Sequence, residues 1–165
     1  MAWTTDLVLF VRSLIGDLDA TKYNNDRIKQ VIAISAYYML STTTFMNEYT
    51  VDMGAVTISP DPMGDVDFSL LVAYKAAIII VGGEVKNSAN QAISYREGPN
   101  SLDLTAVTAS LQSLYKQLST LFEDMLNTYQ MEQSSKNGHA ILGPYSPGSD
   151  FIAFFRGQDH RSNNL

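Results

Sequence analysis

Histidine is the residue type most often used for catalysis near neutral pH, and this chain contains only two. His139 and His160 lie in a C-terminal stretch rich in glycine and proline, and they are too far apart to be paired ligands on one helix. A catalytic pair would need a rigid element to hold its geometry, which such a stretch does not supply. We therefore expect no histidine metal centre and no nucleophile–histidine catalysis.

Carboxylates are the next candidates, and Asp61, Asp65 and Asp67 form a small acidic cluster. The cluster lacks the ligand spacing and the final glutamate of an EF-hand loop. Pro60 and Pro62 flank the first aspartate and favour a turn, and an aspartate before an apolar run commonly caps a helix. We interpret the cluster as a turn followed by a helix cap rather than as a cation site.

Residues 78–83, Ile-Ile-Ile-Val-Gly-Gly, resemble a strand that enters a glycine loop. Phosphate-binding loops need G-x-G-x-x-G or G-x-x-x-x-G-K-[ST], and neither pattern is present. The preceding residues 74–77 continue a helical pattern. The chain also has no cysteine, which excludes thiolate metal sites and disulfides. The sequence thus predicts no catalytic residue, no bound metal and no cofactor, and a protein that is not an enzyme.

The most unusual segment is the C-terminal one, residues 136–165. Residues 1–135 carry a net charge of −7, whereas this segment carries +1. It combines glycine and proline with large apolar residues, although disordered linkers are usually poor in aromatics. An extended apolar segment of this kind is typical of a tail that lies in a groove of a partner protein. The alternative is that it folds back on its own domain.

We predict that aromatic side chains anchor this tail and that two arginines guide it to an acidic protein surface. The predicted docking residues are Tyr145, Phe151, Phe154, Phe155, Arg156 and Arg161. Basic residues among aromatics also occur in single-strand binding, but here they are few and the net charge of −6 opposes it.

The composition of the whole chain indicates a protein whose surface is covered by other subunits. Charged residues make up 17%, below the roughly 25% of an average domain. A large core would also explain this, but it is hard to build in 165 residues. The N-terminus lacks the basic start of a signal peptide. The longest apolar run, residues 76–81, is too short to cross a membrane, so we expect no membrane contact.

Four helices are predicted from apolar spacing and capping residues. The first begins at Thr4 or Thr5 and ends at Gly16, and the second is capped by Asn24 or Asn25 and fades at residues 42–44. The third covers about residues 68–89 after a cap at Asp65 or Asp67, and is apolar nearly all round, as a central helix is. The fourth runs from a cap at Ser101 to about Gln133.

Residues 49–58 change to the alternating period of a short β-hairpin or arm. Gly82 and Gly83 inside the third helix predict a kink or close contact with another backbone. Residues 93–100 are predicted to be an extended linker that ends in a turn. Glu84, with Lys86 nearby, is interpreted as ordinary solvated surface.

The fourth helix has the clearest pattern, a bundle seam flanked by a row of aromatics seven residues apart. The seam residues are Leu104, Val107, Leu111, Leu114, Leu118, Leu121 and Met125, and the row is Tyr115, Phe122 and Tyr129. From these we select five residues for subunit packing: Leu111, Tyr115, Leu118, Phe122 and Tyr129. The helix would be about 48 Å long, against about 37 Å for a compact body of this size. Either one end projects or it packs along a neighbour; the alternative is an elongated monomer.

The predicted fold class is therefore mainly α. It is a bundle of about four helices with a long C-terminal helix, a small β-hairpin and an extended C-terminal tail. The predicted domains are a helical body, residues 1–135, and a docking tail, residues 136–165.

The order of these motifs resembles the head-to-tail connector, or adaptor, proteins of tailed bacteriophages, over about residues 4–132. The motifs that carry the resemblance are Asp6-Leu7-x-x-x-Val11-Arg12-x-Leu14-Ile15-Gly16-Asp17, Tyr23-Asn24-Asn25-Asp26-Arg27-Ile28, Leu71-Val72-Ala73-Tyr74-Lys75-Ala76-Ala77, the turn Arg96-Glu97-Gly98-Pro99 and the long last helix. The tail of this chain is longer and more aromatic than a minimal member needs.

The resemblance implies a virion protein, made in the host cytoplasm, that forms a homo-oligomeric ring, commonly of twelve subunits, in the neck below the portal. DNA would pass through the ring without specific binding, and an acidic body suits that role. The portal protein and a tail or lower neck protein would be its partners. The alternatives are another neck ring protein, such as a stopper or tail terminator, and a cellular helical regulator that binds nucleic acid.

Overall fold

The computed structural model describes residues 3–94 and 104–136, with side chains for residues 3–89 and 108–133. The described residues are mainly helical and include one small antiparallel hairpin, so the predicted fold class is confirmed. The elements are α1 (Trp3–Ile15), α2 (Asn25–Thr42), β1 (Thr50–Asp52), β2 (Thr57–Ser59), a 3₁₀ turn (Pro62–Gly64), α3 (Val66–Ser94) and α4 (Leu104–Lys136).

The helix ends follow local capping chemistry. Gly16 terminates α1 with φ +73°, a left-handed backbone that glycine adopts without strain. The Asn24 side chain caps α2 by accepting a hydrogen bond from the Asp26 N–H. Asp65 caps α3, because its Oδ1 accepts from the Phe68 N–H at 3.1 Å. These ends are those that the sequence predicts.

Two predicted boundaries are wrong. α1 begins at Trp3, before Thr4, and the indole is buried in the core. α3 continues to Ser94, so Ile93 and Ser94 are helical rather than part of an extended linker. The rest of that linker and the predicted cap at Ser101 lie outside the described residues.

α3 is the central element of the core. α1 and α2 both pack against it, and its buried residues occur on every side of its first half. Three of them are alanines, Ala73, Ala76 and Ala77, whose small side chains permit close approach of the neighbouring helices. α3 is apolar nearly all round because other elements pack on every side of its first half, as predicted for a central helix.

One stretch of α3, Val66–Ala89, is long and apolar enough to cross a membrane by length and composition. Counting uninterrupted apolar residues misses this, because Tyr74 and Lys75 divide the stretch. In this structure 56% of its most apolar window is buried inside the protein. Helices in the core of a protein meet the same criterion.

The hairpin lies on the body through one apolar face. Val51 pairs with Ile58 in the antiparallel register, and Ile58 is buried. Just before β1, the Tyr49 ring stacks on Phe68 with centroids 4.0 Å apart, and Phe45 meets the same ring edge-on at 4.8 Å. An isolated two-stranded hairpin is marginal in water, so this aromatic cluster supplies the missing support.

The chain divides into two units, Met1–Tyr129 and Gln130–Leu165, and α4 passes from one to the other. Within the first unit, α4 turns Leu118, Phe122 and Tyr129 into the core. Leu121, a predicted seam residue, is instead 41% exposed. The apolar seam and the aromatic row are adjacent stripes, and the body buries Phe122 and Tyr129 of the aromatic row together with Leu118 of the seam.

Candidate functional site

The sequence-predicted docking residues of the tail are Tyr145, Phe151, Phe154, Phe155, Arg156 and Arg161, and they lie outside the described residues. Their role stays a prediction. The predicted packing residues on α4 are all described, and the structure places them differently from one another.

Leu118, Phe122 and Tyr129 are buried against the chain's own core. Leu111 is half-buried, and Tyr115 is 39% exposed. Of the five predicted packing residues, Tyr115 therefore offers the largest uncovered apolar surface to another subunit. The prediction that these five residues contribute to packing between subunits stays a prediction.

Tyr115 forms one wall of a surface groove between α3 and α4, which we name the α3–α4 groove. Its volume is about 460 Å³, and its lining consists of Lys75, Ile78, Ile79, Gly82, Val85, Lys86 and Tyr115. Apart from the two lysines and the tyrosine hydroxyl, this lining is apolar, and Ile79 is 37% exposed. The groove thus combines an apolar floor with cations.

Gly82 explains why the tyrosine ring can lie so close to α3. A Cβ at this position would be 3.2 Å from Cε2 of Tyr115, tighter than ordinary van der Waals contact. The sequence predicts a kink or close contact with another backbone at this glycine pair, whereas the close neighbour of Gly82 is an aromatic ring. Gly83 has open space beside it.

Lys75 is held by aromatic rings rather than by a carboxylate. Its Nζ lies 4.0 Å from the ring centroid of Tyr38 on α2 and 5.2 Å from that of Phe122 on α4. Such cation–π contacts fix the position of an ammonium group without cancelling its charge. In the described part of the chain, neither Lys75 nor Lys86 has a carboxylate within 4.0 Å. The groove is therefore a positively charged spot on an acidic body.

A second feature is the loop between α1 and α2, residues 17–23, which we name the Leu18 loop. Its base is a buried ion pair, in which Arg12 Nη1 donates to Asp17 Oδ2 at 2.8 Å. Arg12 also donates to the Asp17 carbonyl, the Tyr23 carbonyl and the Asn25 side chain. One guanidinium therefore ties the end of α1 to both ends of the loop and to the start of α2.

The Asp17 carboxylate holds the rest of the loop from inside. Its oxygens accept hydrogen bonds from the backbone N–H groups of Thr21, Lys22 and Tyr23 at 3.0–3.1 Å. The Lys22 N–H is the main reason that the pKa of Asp17 lies below its usual value of 3.8. The Tyr23 N–H and the Thr21 hydroxyl act in the same direction, and burial opposes them.

Glu84 anchors the far end of this loop on α3. The Tyr23 hydroxyl donates to Glu84 Oε1 at 2.8 Å, and Lys22 Nζ lies 3.4 Å from the same oxygen. Burial, followed by the bond to this carboxylate, raises the pKa of Tyr23 to about 12. The interpretation of Glu84 as plain solvated surface is therefore wrong, because its side chain is a fixed acceptor and only 20% exposed.

The free energy of unfolding should depend on pH through protonation of the Asp17 carboxylate. Because its folded pKa is depressed, its charge stabilises the fold at pH values above its unfolded value. That contribution is lost as the pH falls below about 3.8 through the lower folded pKa. We expect the stability advantage of wild type over Asp17→Asn to be constant near neutral pH and to shrink in this acid window.

Urea unfolding between neutral pH and pH 2.5, followed by fluorescence of the single tryptophan, Trp3, is the measurement. Trp3 is buried, so its emission reports loss of the core. If the difference in the free energy of unfolding between the two proteins were the same at every pH, the pH dependence of stability would not come from Asp17.

The acidic cluster has the structural role that the sequence predicts. Asp61 accepts from the Met63 N–H and caps the 3₁₀ turn. Asp65 caps α3 and also accepts from the Tyr49 hydroxyl and the Asn47 amide. Among the residues with described side chains, no group of three or more histidines and carboxylates could hold a metal ion.

Sequence reasoning missed the Arg12 network and the ring-bound Lys75, although both lie inside the motifs of the resemblance. The sequence does contain a signal for the Arg12 network. Arg12 follows Val8 by four residues and Val11 by one, so it falls beside the buried stripe of α1, where a charge requires partners. The rings beside Lys75 come from distant helices and leave no local signal.

Comparisons with known proteins identify no relative: no family model matches the chain, and no curated protein or solved structure is significantly similar to it.

Proposed function

We propose that this protein is a structural subunit of a homo-oligomeric ring, the head-to-tail adaptor below the portal of a tailed bacteriophage. The observation that carries the proposal is a group of exposed apolar side chains that three helices contribute near Lys75. Tyr38 on α2, Ile79 on α3 and Tyr115 on α4 are 45%, 37% and 39% exposed and lie on or beside the α3–α4 groove. Large exposed apolar side chains that lie near one another are typical of a face that a partner covers.

The charge and the fold support the same function. An acidic body lets DNA slide past rather than binding it, because phosphates are repelled. The described residues form helices with only a three-residue pair of strands, which favours the adaptor over the β-richer stopper or tail-terminator rings. The sequence motifs of the resemblance supply the specific assignment to the phage neck.

The test is to mix the protein with the portal protein of the same virus and to image the mixture by electron microscopy. We expect a ring coaxial with the portal, commonly of twelve subunits. If the mixture contained only free monomer and bare portal at micromolar concentration, the proposal would be abandoned.

Truncation tests the predicted role of the tail. Because α4 includes Lys136, the deletion should remove residues 137–165. We expect a protein with the same helical circular dichroism per residue of the body, because the described core lies within residues 3–129. We also expect loss of docking on the portal.

A second variant keeps the tail and replaces only Phe151, Phe154 and Phe155 by serine. It should lose most of the docking as well if these aromatic residues are the anchors. Normal docking by the truncated protein would show that the tail is dispensable.

A further inference from the structure

Leu18 is an apolar side chain that a rigid loop holds out into solvent. It is 61% exposed, although Asp17 beside it is buried. The hydrogen bonds to Asp17 and Arg12 fix the loop at both ends, and Ala20 is held at φ +55° with its N–H bonded to the Asp17 carbonyl. A loop already fixed in this way loses little conformational entropy on binding. Leu18 is therefore a preformed anchor.

The surroundings of Leu18 define the chemistry of its partner. Leu9 on α1 is 59% exposed and, together with Leu18, lines an open depression on the surface. The lysines nearby are neutralised, since Lys22 pairs with Glu84 and Lys29 with Asp26. Asp19 is exposed and has no cation within 4.0 Å among the described residues. Leu18 and Leu9 are thus exposed apolar side chains, and the unpaired carboxylate of Asp19 lies next to Leu18 along the chain.

The α3–α4 groove has the complementary properties. Its floor is apolar, Ile79 and Tyr115 are more than one-third exposed, and its two lysines have no carboxylate partner in the described part of the chain. An apolar anchor with an adjacent carboxylate is the ligand that such a groove fits best. The same chain carries both halves of this contact.

Helix geometry places the two halves on opposite sides of α3. The Leu18 loop rests on Glu84 through Tyr23 and Lys22. Glu84 is nine residues from Lys75, two and a half turns, so the two side chains point about 180° apart. Gly82 and Lys86, each two residues from Glu84, are rotated by about 200°. The loop therefore cannot reach the groove of its own subunit.

We propose that the Leu18 loop of one copy inserts into the α3–α4 groove of the next copy, with Asp19 facing Lys75 and Lys86. This contact is heterologous, since each copy gives its loop to one neighbour and its groove to another. Repetition produces a ring when the rotation between copies closes. The inference rests on the proposed ring function and names the surfaces that build it.

Disulfide cross-linking tests the contact directly, because the chain has no cysteine of its own. The variants Leu18→Cys and Ile79→Cys are purified separately, mixed at high concentration and oxidised. We expect a covalent dimer that contains one copy of each variant, and a ladder of higher species when both cysteines are placed in one chain. The matched control pairs Leu18→Cys with Ser41→Cys, an exposed position on α2. Equal yields from the two mixtures would overturn the proposal.

Charge reversal separates recognition from a folding defect. Asp19→Lys and Lys86→Glu, each introduced in the cysteine-bearing proteins, should lower the rate of cross-linking about tenfold, since like charges then face each other. Combined across the interface, they should restore the rate to within about threefold of the original pair. Both positions are exposed, so the fold should survive. A combination no faster than either single variant would overturn the predicted pairing.

Failure of this proposed interface can be distinguished from failure of the adaptor function. Rings on the portal without a specific Leu18→Cys–Ile79→Cys disulfide would contradict this interface but not the adaptor function. A specific disulfide in a protein that never assembles on a portal would support the interface and overturn the adaptor.

Discussion

Replacing Arg12 by methionine should lower the thermal unfolding midpoint by roughly 10 °C or more. Methionine keeps much of the apolar stem but removes every donor of the guanidinium. The Asp17 carboxylate would then be buried without its cation, and the Tyr23 carbonyl and the Asn25 side chain would lose their donor. Removing one partner of a buried ion pair costs more than the pair contributes, because the other charge stays buried and uncompensated.

Arg27→Met is the matched control, because Arg27 is exposed on the first turn of α2. Its effect on the unfolding midpoint should stay within about 2 °C of wild type. Thermal scans monitored by Trp3 fluorescence measure both variants. Equal midpoints for Arg12→Met and Arg27→Met would mean that the network does not stabilise the fold.

The same substitution has a functional consequence. The Arg12 network holds the loop that projects Leu18, so Arg12→Met should slow Leu18→Cys cross-linking even at temperatures where the variant remains folded. A stability defect alone would leave that rate unchanged well below the unfolding midpoint. Comparing the two readouts therefore distinguishes loop preorganisation from global stability.

Phe68→Ala should destabilise the protein by about 3–5 kcal/mol. Phe68 is fully buried and is contacted by Tyr49 face to face and by Phe45 edge-on. Its loss leaves a cavity at the point where the hairpin, α3 and the segment after α2 meet. Because the hairpin depends on this cluster, its amide protons should also lose protection from hydrogen exchange.

The control for this substitution is Tyr37→Ala, which removes an aromatic side chain that is 60% exposed on α2. Its effect on the free energy of unfolding should stay within about 0.5 kcal/mol. Urea titration gives both values. A loss below about 1 kcal/mol for Phe68→Ala would show that the aromatic cluster is not the support of the hairpin.

Helix termini were predictable where a single residue determines the local backbone. Gly16 supplies a left-handed stop, and Asn24 and Asp65 supply side-chain acceptors to unpaired N–H groups. These interactions span at most three residues, so they can be seen in the sequence. The end of α3 was missed because residues 90–94, Asn-Gln-Ala-Ile-Ser, carry no strong stop signal, and the helix continues through them.

The buried face of α4 was only partly predictable. Two neighbouring stripes, one aliphatic and one aromatic, satisfy the helical period equally well. Of the seam residues, Leu118 is buried as predicted, whereas Leu121 is exposed. Phe122, in the neighbouring aromatic row, is buried. The choice depends on Phe45 and Lys75, since Phe45 packs on Tyr129 with centroids 5.2 Å apart and Lys75 lies over Phe122. No pattern within α4 contains that information.

By itself, the sequence determined the mainly helical class, the short hairpin, the capping residues and the central apolar helix, because each follows from contacts within a few positions. Only the tertiary structure decided that Arg12 is buried with Asp17, that Lys75 lies between two rings and that Tyr115 lies over Gly82. These arrangements join residues that are up to 47 positions apart, as Lys75 and Phe122 are. Their physical basis is the packing of α1, α2 and α4 around α3, which also places the Leu18 loop and the α3–α4 groove on opposite faces.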